Sequence, residues 1–87
     1  MRFSVAVEVT PKEGISDPQG LTIEQALPRL GFTGISELRA GKLFTFIIEA
    51  DSEAAAVARI EAACARMLAN PVIEQFHIRT TVLEEAL

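Results

Sequence analysis

Few side chains in this sequence could do chemistry, and they are scattered. The soft groups are one cysteine, Cys64, and one histidine, His77. A catalytic thiol needs a cationic neighbourhood that favours the thiolate. Cys64 falls instead in the apolar stripe of a helical pattern, and Arg66 points about 200° away around a helix that turns about 100° per residue. Cys64 therefore reads as a small buried hydrophobe. His77 lies on the polar side of an alternating run with no visible partner, so it reads as a solvated side chain open to an interface or pH role. Two soft ligands do not make a zinc site within one chain, and one cysteine makes no intrachain disulfide. No Ser-His-Asp framework stands out. Lys42 after Gly41 could touch an anion, but no phosphate-loop pattern surrounds it. On this reading the chain has no catalytic residue, no cofactor and no metal site.

One short stretch carries two readings. In Asp17-Pro18-Gln19-Gly20, Asp17 can cap a helix by accepting from the N–H of residue 19 or 20, and Pro18 is pre-set for the first helical position. Free N–H groups at such a start can also bind an anion, but Asp17 already places negative charge there. Capping is favoured, with Gln19 and Gly20 left as a docking surface.

The elements around these residues follow from periodicity. Residues 2–10 alternate, Phe3, Val5, Val7 and Val9 on one side, which is a strand with one buried face. Pro11 and Gly14 end it. Ile23, Ala26, Leu27 and Leu30 form a helix stripe. Pro28 predicts a kink or a loosened last turn, and Gly31 a left-handed stop. Residues 35–49 read as strand, turn or bulge at Gly41, then strand. In the second piece Phe44, Phe46 and Ile48 form one row, and Leu43 and Ile47 much of the other. Such a two-faced apolar strand in an antiparallel sheet needs a cover, and a second copy packed sheet against sheet is the simplest. Leu43, Phe44, Phe46 and Ile47 are thus the candidate dimer interface.

Asp51-Ser52 caps a second helix with the stripe Val57, Ile60, Cys64 and Met67 or Leu68. Its alanines favour helix and allow close packing. Asn70-Pro71 stops it. A last strand over 72–82 places Phe76, Ile78 and Val82 on one face. The expected fold is one α+β domain over residues 1–87, β-α-β(β)-α-β, a two-layer sandwich with two helices on one face of an antiparallel sheet, ferredoxin-like in outline.

Composition narrows the function. The chain has 87 residues, 49% of them hydrophobic, and a formal charge of −4. A domain this small buries little more than about 60% of its unfolded surface, so the apolar surplus fits an oligomer. The acidic balance argues against a nucleic-acid partner. No apolar run nears the roughly 20 residues that cross a bilayer, and no signal peptide opens the chain; a cytoplasmic location is expected. The run GKLFTFII matches an RNA-recognition motif only at Lys42, Phe44 and Phe46, with Leu43 and Glu49 departing from it.

Four motifs converge: DPQG at the first helix, EQALPRLGF closing it, ISELRAGKLFTFIIEA around the glycine, and MLANPVIEQFHI before the last strand. In this order the sequence resembles the PurS family, small subunits of phosphoribosylformylglycinamidine synthase, over about residues 1–80; the LEEAL tail lies outside. The resemblance implies a non-catalytic homodimer, with tetramers left open. It would bridge a glutaminase and an ATP-dependent synthetase and support the transfer of ammonia in purine synthesis. By motif match Asp17, Gln19, Gly20, Gly41, Lys42, Asn70 and Pro71 are candidate subunit contacts, and Arg39 joins them as a rim charge. The rival reading is a small-molecule-binding regulatory dimer of ferredoxin-like type, with the loop at 31–34 as its site.

Overall fold

The computed structural model describes residues 1–83. Of the tail, residues 84–87 lie outside the described residues. The alternation of residues 2–10 becomes the central strand β1 (Arg2–Pro11), flanked by β2 (Lys42–Glu49) and β3 (Glu74–Leu83) in the order β2-β1-β3, both antiparallel to β1. Phe3, Val5, Val7 and Val9 are almost wholly buried. Register places Phe46 beside Val5, Phe44 and Ile78 beside Val7, and Ile48 beside Phe3, so these rows share the inner face.

Helix α2 (Glu53–Ala63) covers that face over β1 and β3. Ser52 caps it, its hydroxyl accepting from the Ala55 N–H at 3.1 Å, as expected of a Ser at that position. Ala56, Ile60 and Cys64 are buried against the sheet; Met67, one of two alternatives at the end of the stripe, is exposed and Leu68 is half-buried. The last turn, Cys64–Leu68, widens into a π-helical turn closed by the Ala69 N–H on the Cys64 carbonyl at 2.9 Å. That wider turn brings Ala69 into the core. Truncating Ile60 to Ala would cost about 2–5 kcal/mol, the scale for a buried aliphatic side chain.

Helix α1 (Pro18–Ala26) runs into a 3-10 turn at Leu27–Leu30 and stops at Gly31, φ 94°. Both the loosening at Pro28 and the glycine stop were expected. Its placement is the surprise. β1 and β2 are hydrogen-bonded antiparallel neighbours, which a two-residue hairpin could join. Instead residues 12–41 leave the sheet end as an arm, and α1 barely touches the sheet. The bracketed strand over 35–40 is absent: residues 31–41 form a loop with Gly31, Gly34 and Glu37 at positive φ. Left-handed residues break an extended pattern whatever its apolar spacing. The order is therefore β-α-β-α-β, an α+β chain with two helices and a three-stranded antiparallel sheet.

Candidate functional site

Seven of the eight candidate contact residues gather at the end of the sheet where the arm departs, five of them tied there by hydrogen bonds. Asp17 is the first tie. One carboxylate oxygen accepts from the Gly20 N–H at 3.1 Å, capping α1; the other accepts from the Ala40 N–H at 2.8 Å. These two bonds, the one from Ala40 first and helped by the nearby Arg39 charge, hold the Asp17 carboxyl below its ordinary value against the opposing effect of desolvation. Gly20 is required by this arrangement, since a Cβ there would collide with the Asp17 carboxylate. DPQG therefore caps a helix and also locks it to the loop before β2.

Arg39 is the second tie. Its guanidinium donates to the carbonyls of Pro11, Lys12 and Ile15 at 3.4, 3.2 and 3.2 Å. A residue expected on the rim as a partner contact thus also pins the two ends of the arm together. Glu24 adds a third tie, accepting from the Leu38 N–H at 3.2 Å.

The sheet side of the same end is built from Asn70, Pro71 and Glu74. Asn70 Oδ1 accepts from the Val72 N–H at 3.1 Å, and Glu74 Oε1 accepts from the Asn70 N–H at 2.7 Å. Lys12 Nζ donates to the Pro71 carbonyl at 2.6 Å, and Lys42 pairs loosely with Glu74 at 3.9 Å. Gly41 lets β2 begin close to β1: a Cβ there would lie 2.5 Å from the Val9 carbonyl oxygen. Gln19 is exposed, and its side chain makes no hydrogen bond among the described residues.

The four candidate dimer residues divide between two faces. Phe44 and Phe46 turn inward and are half-buried at the edge of the core cluster. Leu43 and Ile47 turn outward and are 60% and 54% exposed. Sequence reasoning passed over the exposed apolar residues of the arm, Leu21, Phe32 and Ile35. Their spacing fits no single helix face, so only the arm's separation from the sheet reveals them.

Cys64 is fully buried, and burial, with Glu61's charge as the lesser cause, raises its pKa above the ordinary thiol value. His77 is exposed on the outer face beside Glu8. Among the described residues no cluster of His, Cys, Asp or Glu could hold a metal ion, and no helix is long and apolar enough to cross a membrane.

A sheet end braced by side-chain ties, with an apolar arm and a two-faced edge strand, is suited to contact rather than turnover. The family model of PurS, phosphoribosylformylglycinamidine (FGAM) synthase, matches residues 4–82. This chain belongs to the PurS family. The PurS subunit of phosphoribosylformylglycinamidine synthase from Synechocystis is 36% identical over 85 residues, 98% of this chain and 85% of that protein. The crystal structure of Methanocaldococcus jannaschii PurS is described as one of the subunits of formylglycinamide ribonucleotide amidotransferase in the purine biosynthetic pathway. It superposes with a TM-score of 0.83 at 32% identity, covering 94% of this chain and 99% of that one. A chain in the structure of PurLQS from Thermotoga maritima superposes with a TM-score of 0.86 at 31% identity, covering 93% and 99%. Both exceed what a shared fold alone would need, and the PurS likeness runs nearly end to end.

Proposed function

We propose that this chain is a non-catalytic subunit of phosphoribosylformylglycinamidine synthase that joins the glutaminase and synthetase subunits and supports passage of ammonia between them. In that scheme the glutaminase hydrolyses glutamine. The ATP-dependent synthetase then uses the released ammonia to convert the formylglycinamide ribonucleotide to its amidine. The complex is cytoplasmic, and this chain contributes surfaces and no reacting group.

The observation that carries the reading is the state of β2. It is an edge strand with apolar residues on both faces, Leu43 and Ile47 outward, Phe44 and Phe46 inward, and its own chain covers neither face fully. Apolar edges left open invite unwanted pairing, so their natural state is occupied. That a chain in the structure of PurLQS from Thermotoga maritima shares this fold supports a larger subunit as such an occupant. The outer row of Leu43 and Ile47 faces a larger subunit, with the exposed Lys42 at the start of the same strand as a charge beside the contact. Rim charges of this sort tune encounter and specificity more than affinity.

Co-expression with the glutaminase and synthetase tests this. The three chains should co-elute in one complex, and Leu43→Asp or Ile47→Asp should release this chain from it. Co-elution unaffected by either substitution would contradict the assignment of the outer row.

A further inference from the structure

The outer face of the sheet is balanced in charge, and one titratable side chain sets that balance. Phe3, Val5, Val7 and Val9 are buried on the inner face, so the alternate residues of β1 point outward. Register then places Leu43, Glu8 and His77 side by side in one outer row. The next rows along β1 centre on Ala6 and Ser4, small and uncharged, with Ile47 beside Ser4. The apolar row of β2 is therefore continuous with a low floor that a partner surface can approach closely.

The charges on this face cancel. Arg79 pairs with Glu8 at 2.7 Å, and Arg2 stands opposite Glu49 in register. His77 faces Glu8 across the strands and shares its own strand face with Arg79, two residues on. Its remaining neighbours on that face, Thr10 and Gln75, are uncharged. On the other side β3 is a sheet edge, and α2 packs on the inner face.

A neutral His77 thus leaves the face balanced, and a protonated one adds a cation while Glu8 is already held by Arg79. In the free chain Glu8 and Arg79 are 43% and 58% exposed, so water screens the surplus charge. A cover over the row removes that water, and desolvation then disfavours the protonated imidazole.

We propose that His77 makes attachment of a larger subunit to this face pH-dependent, the contact forming on the neutral imidazole and releasing its proton to solvent. The occupant presents an uncharged, mainly apolar surface, because a balanced face beside Leu43 and Ile47 leaves no unpaired charge for it to meet. This rests on the proposed bridging role and adds its regulation.

The test is calorimetric titration of the native chain into the glutaminase and synthetase. Histidine changes charge between about pH 5 and 8, and one linked proton changes a binding constant by up to about tenfold per pH unit. From about pH 7.5 to 5.5 the dissociation constant should rise roughly three- to tenfold. Heats in buffers of different ionisation enthalpy should show proton release at the lower pH. His77→Gln should flatten the profile, and His77→Lys, charged throughout, should bind weakly at both ends.

A flat native profile, a slope that survives in His77→Gln, or tight binding by His77→Lys would each overturn the switch and leave the bridging role standing. A pH-dependent mass of the isolated chain, abolished by His77→Gln, would assign the face to a second copy and overturn this occupant. No binding at any pH would overturn the bridging role itself, and the switch with it.

Discussion

The carboxylate of Asp17 sits 2.8 Å from the backbone nitrogen of Ala40, twenty-three residues away, while its other oxygen caps the helix that Asp17 begins. One side chain thus fixes where α1 starts and where the returning loop meets β2. Everything the arm presents to a partner depends on that joint.

The joint should be sensitive to acid. The Asp17 carboxyl is held below its ordinary value of 3.8 because both oxygens accept backbone hydrogen bonds as the anion. A lowered folded-state pKa contributes stability above the unfolded value and loses it as pH falls through the folded one. In Asp17→Asn, whose side chain cannot accept with two oxygens, the clasp is weakened at neutral pH and does not titrate. The melting temperatures of the two proteins should differ at pH 6 and converge as pH falls below 3.8. A gap that is constant down to pH 2 would refute the clasp.

Two glycines should answer differently to alanine. Gly41→Ala places a Cβ 2.5 Å from the Val9 carbonyl oxygen, on two hydrogen-bonded strands that cannot separate freely. Such overpacking costs about 1–3 kcal/mol. Gly31→Ala meets no neighbour and suffers only its left-handed backbone, φ 94°, about 1 kcal/mol or a little more. Urea denaturation should rank Gly41→Ala as the more damaging. The reverse order would mean that β1 and β2 are not as closely apposed at this point as described.

Cys64 should behave as a structural thiol. Burial raises its pKa, which lowers the thiolate fraction, and the core closes over the sulfur. Native protein should react with a disulfide reagent far more slowly than protein in denaturant. Cys64→Ser should destabilise by about 1–3 kcal/mol through a buried hydroxyl, with complex activity retained once folded. Fast native labelling would contradict this environment.

The parts of this fold that were legible in the sequence are those held by near neighbours. The alternation of β1, the Ser52 cap, the Ile60 and Cys64 stripe and the Gly31 stop each depend on residues within a turn or a strand pair. The loop at 35–40 was misread because its apolar residues Ile35, Leu38 and Ala40 lead straight into the clear strand that follows Gly41. Its N–H groups tell the difference. Leu38 and Ala40 donate to Glu24 and Asp17 instead of to a ladder, and no local pattern announces bonds across fourteen and twenty-three residues. The same distance hid Arg39's second role: a surface arginine reads as a rim charge until three carbonyls are found beneath it. The candidate contacts came together at one sheet end, but the apolar arm beside them went unseen, since periodicity marks a helix face without saying which molecule it meets.

The outer row of β2 should matter for assembly and not for folding. Leu43 and Ile47 are more than half exposed, so Leu43→Asp or Ile47→Asp should change unfolding free energy by no more than about 0.5 kcal/mol, the usual range for surface sites. A large loss of stability instead would place these side chains inside the protomer's own core.

The accessory role is tested most directly by reconstituting the glutaminase and synthetase with and without this chain and following amidine formation from glutamine and from free ammonia. Omitting the chain should abolish most glutamine-driven synthesis and leave ammonia-driven synthesis largely intact, and adding it back should restore the former. Glutamine-driven synthesis that proceeds equally well without it would contradict the account.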